Sequence, residues 1–280
     1  MLHHVVPALH SCLIWWFGTC LVLLLDGFPR GTFRWSMAGA TVMLLAALYA
    51  LKVSAAETTT SSVYTAFTAA IVIWGWLELS FYTGYITGPR VKHCSDGCGG
   101  LRHFGHAIQA SLYHEIAVLG LACVVVALTW GQPNQFGTGA FIVLWWMHQS
   151  ARLNVFLGVS NLSAEFLPKH LDHLNSFFTS RPMNMLFPFS VTASTITAVV
   201  LVERALSART GSPAEVGYVL VGTLMMLAIL EHWVLVLPVS ATRIWNGMWR
   251  WGLSLRARGA PLPTRQHGHV PTKAPIGGCP

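Results

Sequence analysis

Seven runs of apolar residues, each about 17 to 27 residues long and bounded by Arg, Lys, Gly or Pro, constrain this chain more than any other feature. A helix crossing the hydrocarbon core of a bilayer needs about 20 such residues. The runs cover residues 5–25, 35–51, 63–86, 104–130, 137–158, 183–202 and 216–240. Of the 280 residues 54% are apolar and 10% charged, where a soluble domain carries about 25% charge. The reading is an all-α polytopic membrane protein with one seven-helix domain over 1–254. The first run has no basic segment ahead of it and no small-residue cleavage site, so it is expected to be a retained span and not a signal peptide.

The distribution of Lys and Arg tests the count, because a correct segmentation sorts these residues to alternate sides. One side collects Arg30, Arg34, Arg90, Lys92, Arg102, Arg152, Lys169, Arg181, Arg243, Arg250, Arg256, Arg258, Arg265 and Lys273; the other has Lys52, Arg204 and Arg209. This predicts an outside N-terminus and a cytoplasmic C-terminus. Trp245, Trp249 and Trp251 would form an aromatic belt after the last span. The Pro- and Gly-rich stretch 255–280 reads as a disordered tail. The net charge of +7 is spread over loops on one side of a membrane, so nucleic acid is not an expected partner. Six cysteines are too sparse for a disulfide framework. Cys94 and Cys98, behind His93, have a spacing that allows a metal clip but lack the second pair of a zinc ribbon.

Ionisable groups inside hydrocarbon cost several kcal/mol and persist only with a partner or a function. This chain has a set of them: Glu78, His114, Glu115, His148, Glu231 and His232. Each lies about ten residues from the cytoplasmic end of its span, which at 1.5 Å per residue is a common depth of about 15 Å. Three readings stay open. The first is a metal site of the di-iron kind, or another transition metal, built from these carboxylates and imidazoles. In the second, His114, His148 or His232 is an axial ligand to haem or bacteriochlorophyll. The third is a hydrogen-bonded network or proton path without a ligand.

Neighbouring residues bear on the same choice. Arg152 follows His148 by one turn and can serve a buried carboxylate as counter-ion; Gln149 and Asn154 extend the polar face. His103, His106, Gln109 and Tyr113 form a stripe leading to His114, read either as a proton path or as a seam against Gln149 and Asn154. Between spans five and six, NLSAEFLPKHLDHLNSFF reads as a short amphipathic interfacial helix. Its His170 and His173, with Asp172 and Glu165 near, have a spacing compatible with a shared metal.

The stretches ELSFYTGYITGPR, LYHEIA, MHQSARLNVFLGVSNLSAEFLPKHLDHLNSFF, RPMNMLFPFS and LEHWVLVLP together resemble the photosynthetic complex assembly protein 2 family, the PuhE type, from about span three to span seven. The resemblance implies a multi-pass protein of the bacterial cytoplasmic or intracytoplasmic membrane. It would act in reaction-centre assembly or bacteriochlorophyll supply, with reaction-centre or light-harvesting subunits and pigment-biosynthesis proteins as partners. The alternative is a membrane-embedded metal-dependent oxidoreductase acting on a tetrapyrrole or another lipophilic substrate. A proton-coupled transporter is the weakest reading, since no internal repeat is visible.

Overall fold

The computed structural model describes residues 2–94, 98, 100–162 and 167–237, all helix and connecting segments with no strand among them. The helices are α1 (Leu2–Asp26), α2 (Phe33–Ala55), α3 (Thr60–Tyr82), α4 (Gly100–Thr129), α5 (Phe136–Leu157), α6 (Leu186–Ser207) and α7 (Pro213–Val236). Six of them are long and apolar enough to cross a membrane. The exception is α5, whose apolar run is broken by His148, Gln149, Arg152 and Asn154. Glu165, Trp245, Trp249, Trp251 and the tail 255–280 lie outside the described residues.

The helix starts follow local chemistry. Thr59 and Ser62 form a reciprocal capping box at the start of α3, and Ser212 caps α7 ahead of Pro213, whose missing N–H costs nothing at the first helical position. Helix ends differ from the sequence reading by a few residues, as at α3, which stops at Tyr82 instead of Ile86. The Tyr82–Arg90 stretch turns back at Gly84, which has φ +81°, and then runs along α4.

Helix α3 is central and packs against α1, α2, α5 and α7. Its Ala66, Phe67, Ala70, Ile73 and Leu77 are fully buried. Close approach rests on small residues, as expected where lipid provides no hydrophobic drive between helices. A Cβ on Gly137 of α5 would lie 2.7 Å from the Ala66 carbonyl oxygen, and one on Gly217 of α7 would lie 2.4 Å from the Phe136 ring. One side chain joins two helix ends: Asn134 donates to the Ser54 carbonyl at the end of α2, while its Oδ1 accepts from the Phe136 amide at the start of α5.

The amphipathic segment between α5 and α6 is a 3-10 helix, Lys169–Phe177, preceded by Pro168. Leu171, Leu174 and Phe177 are buried with Ala107 and Ala110 of α4. The apolar stripe therefore faces protein, and the tighter 3-10 winding lets residues three apart share that face.

Candidate functional site: a buried carboxylate, imidazole and guanidinium cluster

Helices α3, α4 and α5 bring Glu78, His114, Glu115, His148 and Arg152 together. Arg152 is paired with Glu115, and its Nη2 lies 2.6 Å from His148 Nε2. A guanidinium has no acceptor, so His148 Nε2 accepts and the ring proton sits on Nδ1. That nitrogen is 3.2 Å from Glu78 Oε1. The chain of contacts thus runs Glu115, Arg152, His148, Glu78 across three helices. The Arg152 guanidinium also covers the Phe81 ring, and Trp74 packs edge-on to His148, so aromatic rings wall the cluster.

His114 completes it in an unusual state. The side chain has no exposure, and neither ring nitrogen has a hydrogen-bond partner among the described residues. Its ring packs on Phe81, with centroids 4.9 Å apart, and faces His148 at 5.8 Å. Its position is held by the backbone, since the His114 amide donates to the Thr87 carbonyl at 2.9 Å. A buried, unpartnered polar group costs about 1–3 kcal/mol, a cost that a bound ion, a water or a ligand on either nitrogen would remove.

Ligand atoms of Glu78, His114 and His148 lie within 4.8 Å of one another. Two imidazoles and one carboxylate are the donor set of mononuclear non-haem iron sites. Metal bonds of about 2.1 Å would set adjacent N and O ligands about 3.0–3.4 Å apart, the range of the His148–Glu78 contact; an ion on His148 Nδ1 would take the place of the proton there, and Nε2 would have to leave the Arg152 guanidinium to carry it. The free nitrogens of His114 fit that use. A dinuclear site does not close among the described residues, because Glu115 is engaged by Arg152 and Glu231 is not one of the groups that come within 4.8 Å of one another. An axial role toward a macrocycle does not fit His114 either, since its ring is enclosed by Phe81 and His148.

The remaining sequence candidates fall elsewhere. His232 is buried but satisfied: its Nδ1 donates to the Ala228 carbonyl, which leaves Nε2 to accept from the Ser150 hydroxyl at 2.9 Å. The Asn154 side chain faces α6 and not α4, donating to the Ser190 hydroxyl, while its backbone carbonyl accepts from Asn184; Gln149 is half-buried. His170 Nε2 donates to the Tyr82 carbonyl at 2.7 Å. Burial lowers the pKa of both His170 and His173 below the ordinary value, keeping them neutral. These two imidazoles and Asp172 do not close into a ligand set among the described residues, and Asp172 is held by Asn175. The polar stripe on α4 divides: His103 and His106 turn to Cys94 and Cys98, while Gln109 and Tyr113 are exposed. Phe81, Thr87 and Ser150 support these imidazoles without having stood out in the sequence, since a Phe, a loop carbonyl and a Ser carry no signal of their own.

No solved structure matches this chain. A curated protein of Rhodobacter capsulatus, described as an uncharacterized 30.4 kDa protein in the puhA 5' region, is 35% identical over 245 residues, covering 86% of this chain and 89% of that protein. The family described as "protein of unknown function (DUF3623)" matches residues 1–260, a stretch that takes in all seven helices and every residue of the cluster, and the chain belongs to that family.

Proposed function

We propose that this protein is a multi-pass factor of the bacterial cytoplasmic membrane that serves the assembly of photosynthetic complexes or their supply with bacteriochlorophyll. The observation that carries this reading is the 35% identity, over most of both chains, to a protein placed in the 5' region of puhA, a photosynthesis gene. The motif resemblance supports it from another direction, because the shared stretches hold Glu78, His114, Glu115, His148 and Arg152. In this reading α5 is a fifth span. Its 22 residues reach about 33 Å, and His148, Arg152 and Asn154 all find partners on other helices. The Lys and Arg distribution then sets the N-terminus outside and the C-terminus in the cytoplasm. Reaction-centre or light-harvesting subunits and pigment-biosynthesis proteins are the proposed partners.

A second reading is favoured by the unpartnered nitrogens of His114: a membrane metal-dependent oxidoreductase, with Glu78, His114 and His148 holding one ion and a lipophilic substrate such as a tetrapyrrole arriving from the bilayer. The ion would supply the redox chemistry. The chain's own part would be to hold it away from water, with Arg152 balancing the charge of Glu115.

Deleting the gene in its phototrophic host tests the first reading: reaction-centre and light-harvesting absorbance should fall, and unchanged absorbance sinks it. Complementation with Glu78→Gln and His114→Phe separates the two. A factor that acts only by binding its clients is restored by variants that accumulate normally; a metal-dependent catalyst is not.

A further inference from the structure

We infer that Cys94, Cys98, His103 and His106 form a zinc site that pins the segment after α3 onto the start of α4. Cys94 Sγ lies 3.4 Å from His103 Nδ1 and 3.6 Å from His106 Nδ1; Cys98 Sγ lies 3.3 Å from the same His106 nitrogen. A tetrahedral ion with bonds of about 2.3 Å to sulfur and 2.0–2.1 Å to nitrogen separates its S and N ligands by about 3.5 Å. All three contacts match that edge. Cys94, Cys98 and His106 close within 4.8 Å of one another; His103 stands outside that group, in contact with Cys94 alone of the three, and a turn of its side chain toward His106 would make it the fourth ligand.

The surroundings fix the ligands as a metal site requires. A carbonyl only accepts, so the contact between His103 Nε2 and the Phe177 oxygen, at 3.3 Å, places the ring proton on Nε2. The lone pair of Nδ1 is then directed at the sulfur. Such a hydrogen bond from the far ring nitrogen orients metal-bound histidines generally. The Cys94 amide donates to the Ser176 hydroxyl at 2.9 Å, tying the first thiol to the 3-10 segment. His103 and His106 share one face of α4 because they are three residues apart. Two thiolates with two neutral imidazoles cancel the charge of a divalent ion, and Arg90, Lys92 and Arg102 nearby in the sequence favour the thiolate form. This donor set is borderline-soft and selects zinc over the oxygen-preferring ions. The second pair that the CxxxC motif lacks in sequence comes from the first turns of the following helix.

The site has a mechanical consequence for the buried cluster. Between Tyr82 and Cys94 lies Thr87, whose carbonyl holds the His114 amide. An ion at Cys94 therefore anchors the far end of the strap that orients His114.

The test is metal analysis of the full-length protein purified in detergent without chelator. About one zinc per chain is expected. Replacement of zinc by cobalt should give thiolate-to-cobalt charge transfer and the strong visible bands of a tetrahedral ion. Those bands should vanish in Cys94→Ser and Cys98→Ser, and persist in Glu78→Gln and in a variant with Cys12, Cys20, Cys123 and Cys279 all changed to Ala. His103→Ala should weaken zinc binding by about tenfold or more. Zinc below about a tenth of an equivalent in the unmutated protein, together with no thiolate band on adding cobalt, overturns the proposal whether or not any variant folds. A band that survives the Cys94→Ser, Cys98→Ser double variant overturns it equally.

Discussion

At the scale of single residues the cluster separates groups that hold the structure from groups held ready by it. Arg152 is of the first kind, since it contacts both Glu115 and His148. Arg152→Met should lower stability by about 3–5 kcal/mol, because it leaves a largely buried carboxylate unpaired. Arg152→Met combined with Glu115→Gln should cost less than the sum of the two changes, by about 0.5–3 kcal/mol, in thermal unfolding of the detergent-solubilised protein. His114 is of the second kind. With no hydrogen bond to lose among the described residues, His114→Phe should leave the unfolding temperature of ligand-free protein unchanged or raise it; if His114 holds an ion, the same variant fails in the complementation assay, and if the protein acts only by binding its clients, the variant restores function. A large loss of stability in that variant would show that the imidazole is a structural group. That Glu78, His114 and His148 stand at one level of α3, α4 and α5 was legible in the sequence, because rise per residue is nearly constant along a helix. Their direction was not, since it depends on the rotation of each helix. Adjacent residues diverge by about 100°, so on α7 His232 turns to Ser150 while Glu231 leaves the helix in another direction, and on α4 His114 and Glu115 reach the same cluster only because the Arg152 side chain is long enough to meet the second.

At the scale of elements, the links between helices carry as much as the helices do. The segment after α3 lies so close to α4 that a Cβ on Gly88 would sit 2.1 Å from the Gln109 carbonyl oxygen. Backbone against backbone cannot give way as a side chain would. Gly88→Ala should therefore destabilise by about 1–3 kcal/mol or more, and hydrogen exchange should speed up at the His114 amide, whose acceptor is Thr87. Unchanged exchange there would mean that the strap is not what holds α4. This contact had no trace in the apolar pattern, because a loop packed along a helix has neither helical nor strand period. The amphipathic stretch before α6 was legible as amphipathic but not in its winding: Pro168 sets its start, and burial of Leu171, Leu174 and Phe177 against α4 favours residues three apart on one face.

At the scale of the whole molecule, the alternation of Lys and Arg makes a testable claim about topology. Reporter fusions after Lys52 and Arg209 should be active outside the cytoplasm, and fusions in the Val91–Cys94 and Lys169–Phe177 segments should be active inside it; any reversal means that a helix has been miscounted, and α5 is the one most exposed to that test. The same helix bears on how the chain is made. A translocon releases a segment sideways into lipid according to its own hydrophobicity, and an Arg opposes release by up to about 2.5–3.5 kcal/mol at the centre of a segment and by less toward its end, where Arg152 stands. The partners of Arg152 and His148 stand on α3 and α4, both synthesised before α5. Helix α5 therefore leaves the translocon against a surface that already holds its counter-charges, and the order of the genetic message is itself part of what lets so polar a segment settle in the bilayer.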